Sequence, residues 1–310
     1  MAAETNQFAT AAAASSSSSP FSPGGQTAET ASEKEKPALP YIGPKSGACP
    51  PEGLGQRKEI RALSVEERQR FFAALQTLKD TKIYERFTQH HLDNRLSVHN
   101  QAVFLPWHRV YVRSFELALQ QIDSRIWMPY WEWTLDSQAP EKSAIFTPEF
   151  MGGNGRASDH CVTDGPFANW TMALPKPHCL RRNFRRGTTC GVFHASESIN
   201  RIITQSTSYD NFRQMFESVP HAGPHLGIGG DMKLMESPND PIFWLHHSYV
   251  DKVYWQWQKS RPELANTYNG PTFSGSLKRA GRPATLDDSL SPFPYKVRDA
   301  LSAEALCYTY

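Results

Sequence analysis

The chain has 310 residues and a formal charge of +2, because lysine and arginine are nearly balanced by aspartate and glutamate. This length is enough for one large domain. No basic block dominates, which argues against nucleic-acid binding, and no apolar run reaches the ~18 residues of a membrane span. We therefore expect a protein that binds neither nucleic acid nor membrane.

The first 48 residues predict a disordered leader. They are rich in Ala, Ser, Thr, Pro and Glu, and residues 11–20 are of low complexity. Such a composition cannot bury a hydrophobic core. Order is expected to begin near Cys49, which gives one folded domain over residues 49–310.

Helices are predicted in the first half of this domain. Residues 64–67 (Ser-Val-Glu-Glu) form a capping-box pattern, and the apolar spacing after them is helical and continues to His91. Pro106 lies near the start of a further helix. The inner face of that helix is predicted to carry His108, Val112, Phe115, Leu119 and Ile122. The aromatic residues 127–133 predict a buried connector.

The middle of the chain, residues 137–191, predicts a long loop region because it is rich in Gly, Pro and Asn and has little periodicity. Its basic cluster, residues 181–186, is interpreted as a solvated loop. The absence of a C-x-x-C pair makes a thiolate zinc site improbable, and the wide spacing fits one or two disulfides plus a free thiol. The five cysteines are Cys49, Cys161, Cys179, Cys190 and Cys307.

Two helices are predicted after this loop, at residues 192–204 and 210–219. Pro220 and Pro224 should then break the helical pattern, since proline removes a backbone donor.

The last predicted helix covers residues 241–259. Asn239 or Asp240 can cap it, and its apolar face includes His247. Asp251 lies one turn after His247 and could hold a ligand in place. The tail, residues 261–310, predicts loops and short strands.

Two groups of three histidines stand out among the eleven in the chain. A single histidine on an apolar helix face is usually a hydrogen-bonded core residue, but two groups on neighbouring elements indicate metal binding. A catalytic zinc site of three histidines needs only one such group, whereas two groups favour a dinuclear site that holds oxygen between two metals. Helix bundles host such sites on inward-facing side chains. The groups are His91, His99 and His108, and His221, His225 and His247.

Three motifs in these regions resemble the tyrosinase family of type 3 copper proteins. Residues 99–109 (His-Asn-Gln-Ala-Val-Phe-Leu-Pro-Trp-His-Arg) match its first copper motif, and residues 240–247 (Asp-Pro-Ile-Phe-Trp-Leu-His-His), followed by Asp251, match its second. Residues 221–225 (His-Ala-Gly-Pro-His) are similar to its paired histidines. The resemblance extends from about Cys49 to the closing residues 308–310 (Tyr-Thr-Tyr), and the short spacing of the first group is most like the compact fungal polyphenol oxidases.

The resemblance implies a mainly α fold: a four-helix bundle that holds two copper ions, with long loops and a few short strands. It implies that the first copper is bound by His91, His99 and His108, and the second by His221, His225 and His247. Phe87, four residues before His91, favours His91 over His90. His246 points about 100° away from His247 around a helix and is interpreted as structural, as are His90, His160, His178 and His194.

The implied activity is copper-dependent oxidation of o-diphenols to o-quinones with O₂ as co-substrate. Glu217 is the candidate general base for a phenol, and the alternative is a surface carboxylate on the outer face of its helix. Asn often stands after the first ligand of the second copper in relatives with strong monophenol activity, where it can hold water against the glutamate. Ala222 stands there in this chain and offers no hydrogen-bonding side chain. Catechols are therefore expected to react well and monophenols slowly.

Other functions stay open on the sequence alone. The alternative enzyme is a tyrosinase with substantial monophenol hydroxylase activity, and the non-enzyme alternative is an oxygen binder like haemocyanin. A structural zinc protein of the same fold is a fourth possibility. The expected partners are small phenols, and the oligomeric state is left undetermined.

The protein is also expected to be secreted and to have a disulfide that joins the two ends of its folded part. Residues 169–171 (Asn-Trp-Thr) form a glycosylation sequon, which together with the cysteine count favours a secreted protein, although no signal peptide is visible. No C-terminal lid domain is expected after Tyr310. In the family the closing tyrosines pack near an N-terminal arginine region, here Arg57 and Arg61, which implies a disulfide between Cys49 and Cys307.

Overall fold

The computed structural model describes Cys49, residues 53–276 and residues 280–310. The predicted leader, residues 1–48, lies outside these described residues. Across the two described ranges, no helix combines the length and the apolar composition of a membrane span.

The described part of the chain is mainly helical, as predicted. Ser64 caps the first helix through a complete capping box with Glu67. The second begins three residues after the first ends, so the two form an antiparallel neighbour pair. The helices are α1 (Val65–Asp80), α2 (Ile83–Val98), α3 (Phe104–Gln120), α4 (Ser196–Gln205), α5 (Tyr209–Phe216), α6 (Ala222–Ile228) and α7 (Ile242–Ser260).

Helices α2, α3, α6 and α7 form the bundle around the histidines. Helices α3 and α7 pack against each other, and both are buried along most of their length. The ring of Phe115 on α3 stacks on Trp244 of α7 with centroids 3.6 Å apart. This contact aligns the two central helices of the bundle, which confirms the predicted fold class.

Helix boundaries depart from the sequence pattern at three places. Ile122 follows the end of α3 and is 41 % exposed rather than on an inner face. Val192 is 71 % exposed and precedes α4, which begins only at Ser196. Pro224, which was predicted to break the helical pattern, is instead the third residue of α6 and does not interrupt its helical backbone.

Pro220 also lies within helical backbone. It is part of a π-helical turn, Glu217–His221, that joins α5 directly to α6. Such turns are frequent at functional sites because the extra residue reorients the side chains that follow.

The long middle region, residues 137–191, contains 3₁₀ turns and a small antiparallel pair of strands, β2 (Thr171–Met172) and β3 (His178–Cys179). The Cys161–Cys179 disulfide pins it, and Cys190 is left as a buried free thiol. The interpretation of residues 181–186 as a solvated loop is wrong for Arg182. This side chain is fully buried and donates to both carboxylate oxygens of Asp240, at 2.7 and 2.9 Å.

Short strands also order the chain ends. β4 (Pro271–Phe273) pairs with β5 (Ala280–Pro283), and β1 (Gly55–Gln56) runs parallel to β6 (Tyr308–Thr309). A side chain at Gly55 would meet the Trp127 ring at 2.0 Å, so only glycine fits there. The Cys49–Cys307 disulfide closes the same region and confirms the predicted pairing.

Candidate metal centre

The first histidine cluster combines three side chains from two helices and the loop between them. His91 lies on α2, His99 directly follows it, and His108 lies on the first turns of α3. Their candidate ligand nitrogens all lie within 4.8 Å of one another. The structure therefore brings the first predicted group together.

Backbone carbonyls orient the rings of this cluster. The Nδ1 atoms of His91, His99 and His108 lie 2.7, 2.9 and 2.8 Å from the carbonyl oxygens of Met235, Arg95 and Phe104, respectively. A carbonyl can only accept, so each Nδ1 carries the proton and each Nε2 keeps a lone pair. The Nε2 atoms of His91 and His108 are buried and have no protein partner.

The second cluster contains four histidines rather than the predicted three: His221, His225, His246 and His247. The π-helical turn ends at His221, and α6 carries His225 one turn later. The Nδ1 atoms of these two rings face the carbonyls of Glu217 and Met232, at 3.1 and 2.7 Å. Their Nε2 atoms therefore also keep a lone pair that can bind a metal.

The spacing of His225 and His247 fits a bound cation. Their Nε2 atoms lie 3.3 Å apart. Two nitrogens that bind one tetrahedral metal at about 2.0 Å are separated by roughly 3.3 Å, and without a metal the same distance allows a hydrogen bond from one ring to the other. This pair therefore has the spacing that a metal ion requires.

His246 is fully buried, and neither of its ring nitrogens has a hydrogen-bond partner. Its ring stacks on His221 with centroids 5.3 Å apart and an angle of 19°. The sequence predicted a structural role for His246, and the structure places its ring in the core beside the proposed ligands.

The two clusters adjoin each other. The rings of His108 and His247 are stacked, with centroids 4.6 Å apart. Burial lowers the pKa of His99 and of His225 to about 4, so both rings are neutral at pH 7. Burial also lowers the pKa of the other clustered histidines well below the usual range.

The donor set fits copper. Both clusters consist of neutral imidazoles, contain no carboxylate or thiolate, and include buried ring nitrogens that have no protein partner. Imidazole is a good ligand for Cu, and divalent affinity reaches its maximum at Cu(II). The arrangement provides two neighbouring metal sites of the same kind, which is what a dinuclear centre requires.

Glu217 is buried at the rim of the second cluster, which contradicts the alternative of a surface carboxylate. Arg213 donates to its Oε2 at 2.6 Å, and the backbone N–H of Asn100 donates to its Oε1 at 2.5 Å. Asn100 has φ +58°, a left-handed conformation that asparagine tolerates. Burial raises the pKa of Glu217 to about 7, against the opposing effect of these two donors. Ala222 is half-buried at the start of α6.

Asp251 makes no hydrogen bond to the clustered histidines, contrary to the expectation that it holds a ligand. Its carboxylate accepts bonds from Arg109 at 2.5 Å and from Tyr308 and Tyr310 at 2.5 and 2.7 Å. Arg57 contacts it at 3.3 Å. Its role is thus to tie α7 to α3 and to both ends of the domain.

Sequence reasoning missed Arg213 and the carbonyls that orient the rings. Arg213 could have been found, because it stands four residues before Glu217 on one helix. The carbonyls of Met232 and Met235 leave no sequence signal, since every residue carries a carbonyl.

Known proteins share this architecture. The family model described as the common central domain of tyrosinase matches residues 79–260. A tyrosinase from Streptomyces glaucescens is 33 % identical over 283 residues, which cover 82 % of this chain and 96 % of the relative.

Solved structures of other proteins resemble this one. A variant of polyphenol oxidase from Thermothelomyces thermophila matches with a TM-score of 0.70 and 25 % identity, over 84 % of this chain and 90 % of the other. A functional unit of octopus hemocyanin matches with a TM-score of 0.59 and 20 % identity, over 83 % and 68 % of the two chains, which is a likeness of fold alone.

The family match, the relatives and the two facing clusters of imidazoles agree with one another. The chain belongs to the tyrosinase family: it is a phenol-oxidising oxidoreductase that carries two copper ions and uses O₂.

Proposed function

We propose that this protein oxidises o-diphenols to o-quinones and hydroxylates monophenols poorly. Residues 49–310 form its copper-containing catalytic domain. The first copper is bound by His91, His99 and His108, and the second by His221, His225 and His247. The orientation of the ring nitrogens and the 3.3 Å spacing of the His225 and His247 Nε2 atoms support this assignment.

Bound copper supplies two one-electron centres that together transfer the two electrons exchanged between a catechol and O₂. The chain's own residues keep the ring nitrogens neutral and aimed inward. Their burial also limits competing water at the metals. A catechol loses two protons as well as two electrons, so the availability of a base decides which phenols react.

The observation that carries the proposal is the engagement of both carboxylate oxygens of Glu217. Oε2 accepts from Arg213 and Oε1 accepts from the Asn100 N–H. A carboxylate held by a cation and an amide is a weaker base than a free one with the same burial. Ala222 adds no group that could hold a water against it. A monophenol, with a pKa of about 10, needs that help more than a catechol already held at copper.

One observation favours the second candidate, a tyrosinase with substantial monophenol activity. Burial raises the pKa of Glu217 to about 7, which is suited to general base catalysis at neutral pH. We rank it second because both carboxylate oxygens are already engaged by Arg213 and the Asn100 N–H, and Ala222 adds no group that could hold a water there. An oxygen carrier shares the fold, as the hemocyanin unit illustrates at 20 % identity, but the tyrosinase from Streptomyces glaucescens is 33 % identical.

The test compares oxygen uptake on a monophenol and on its matching catechol for the parent protein and for Ala222→Asn. We expect the parent to favour the catechol by at least about tenfold and Ala222→Asn to raise the monophenol rate relative to the catechol rate. Ala222→Leu is the matched control, because it adds a similar volume without a polar group. A parent that uses both substrates equally, or an equal gain with leucine, contradicts the proposal.

We also propose that the protein is secreted. Disulfides form and persist in oxidising compartments, and the Cys49–Cys307 and Cys161–Cys179 pairs support such a location. Cell fractionation of the native producer, with activity measured in the medium and in the cell extract, tests this proposal. Activity confined to the cell extract would contradict it.

A further inference from the structure

One short segment supports a histidine of each cluster. The carbonyl of Met232 accepts from His225 Nδ1 at 2.7 Å, and the carbonyl of Met235, three residues later, accepts from His91 Nδ1 at 2.7 Å. The segment, residues 230–235, contains the 3₁₀ turn Gly230–Lys233. Any displacement of this support segment therefore reaches one proposed ligand of each copper.

Asp231 fastens the support segment to the disulfide-pinned loop. Its backbone N–H donates to the carbonyl of Arg181 at 2.9 Å, and its Oδ2 accepts from the Arg181 N–H at 2.8 Å. Its Oδ1 lies 2.8 Å from Nε2 of His178. Asp231 is 2 % exposed, so these contacts replace all of the water that a free carboxylate would hold.

The backbone geometry leaves little freedom at this junction. Gly230 has φ +54°, and a side chain there would meet the Arg181 carbonyl oxygen at 2.2 Å. His178 and Cys179 form strand β3, and Cys179 is bonded to Cys161. The support segment thus lies directly against a part of the loop that a covalent bond restrains.

The His178 ring is held from both sides by acceptors. Its Nδ1 lies 2.7 Å from the Lys176 carbonyl, and its Nε2 faces Asp231. The contact between His178 and Asp231 is therefore a hydrogen bond to a buried carboxyl group.

We propose that Asp231 and His178 are positioning residues that hold both copper sites at once, through the carbonyls of Met232 and Met235. Neither side chain touches a proposed ligand. The consequence is specific: loosening this single contact should weaken both metals together, although the direct ligands of the two metals come from different elements. The proposal rests on the ligand assignment and is independent of which phenol is oxidised.

The experiment measures copper release rather than turnover. Copper-loaded protein is mixed with excess copper(I) chelator and ascorbate, and the release of each of the two copper equivalents is timed. We expect His178→Gln and Asp231→Asn to accelerate the release of both equivalents by about tenfold, the lower end of the range for groups that orient a ligand. His178→Gln removes the two ring contacts, with Asp231 and with the Lys176 carbonyl, and leaves the backbone contacts of Asp231, so we expect it to retain the fold.

The matched control is Asp136→Asn. Asp136 is a half-buried carboxylate that accepts from Arg61, Trp131 and Ser143, and none of its partners orients a clustered histidine. Urea unfolding of each metal-free variant gives its free energy of unfolding, so that copper release is compared between variants with equal losses of stability. Acceleration of only one equivalent, or equal acceleration in Asp136→Asn at the same loss of stability, would overturn the proposal. Neither result depends on the ratio of catechol to monophenol oxidation rates. A failure of this proposal can therefore be distinguished from a failure of the proposed function.

Discussion

At the scale of single residues, His246 and His247 are adjacent histidines for which we propose different roles: His247 binds copper, and His246 packs against a ligand. Both are buried, and both lie in the second cluster. Only His247 places a ring nitrogen 3.3 Å from Nε2 of His225, whereas His246 stacks on His221. Helical geometry turns adjacent side chains about 100° apart, so one metal ion cannot take both equally well.

We predict that His247→Ala loses one of the two copper equivalents and all measurable oxidase activity. His246→Ala should keep both equivalents, with less than about a tenfold loss of metal affinity, because it removes packing on a ligand and not a ligand. Metal content after dialysis against a weak chelator, with oxygen uptake on a catechol, measures both outcomes. Equal losses in the two variants would show that the assignment of His247 over His246 is wrong.

At the scale of elements, Asp251 joins helix α7 to α3 and to strand β6. Arg109 comes from α3, and Tyr308 and Tyr310 come from the last three residues of the chain. The carboxylate and the arginines it contacts are almost fully buried. Removing one partner of such a group leaves charge that is buried without compensation, which costs more than the pair itself contributes.

We predict that Asp251→Ala destabilises the fold by about 3–5 kcal/mol. Tyr310→Phe should cost about 1 kcal/mol, because it removes only a neutral hydroxyl, with its contacts to Arg57, Ser248 and Asp251, and leaves the carboxylate its other donors. Lys58→Ala is the control: its ion pair with Glu67 is solvent-exposed, and surface pairs contribute at most about 1 kcal/mol. Free energies of unfolding from urea titrations give all three values. A cost for Asp251→Ala no larger than that for Lys58→Ala would contradict the network's role.

At the scale of the whole molecule, the two ends of the domain are closed together. The Cys49–Cys307 disulfide spans 258 residues, and strands β1 and β6 pair beside it. The Cys161–Cys179 bond closes a loop of only 18 residues. In the chain-entropy model, the larger loop restricts the unfolded chain more, with about 5 kcal/mol as its upper range against about 3 kcal/mol for the smaller loop.

We predict that the double variant Cys49→Ser and Cys307→Ser loses more unfolding free energy than Cys161→Ser with Cys179→Ser. Both variants remove one disulfide and leave Cys190 unchanged, so they are matched in composition. Urea unfolding without reductant measures the difference. A larger loss from the smaller loop would mean that native contacts of the middle region, and not loop entropy, dominate.

Much of the site could be predicted from the sequence because its helices carry regular patterns. Helical spacing placed His108 and His247 on inner faces, and the capping box located the start of α1. The preference for His91 over His90 came from the family resemblance, and the structure buries the first and leaves the second half-exposed. These features depend on residues close together in the chain, or on motifs that keep their order.

Only the tertiary structure decided how the rings are aimed and what holds them. The carbonyls of Met232 and Met235 belong to the backbone and carry no residue identity, so no pattern could identify them. The basic run around Arg182 predicts a solvated guanidinium, but in the fold this group is bound by Asp240, which is 58 residues away in the sequence. The sequence pattern predicts a helix break at Pro224, yet this residue lies within α6, whose helical backbone continues from the π-helical turn. In each case the deciding partner is remote in sequence or is a backbone group, and only folding brings it into contact.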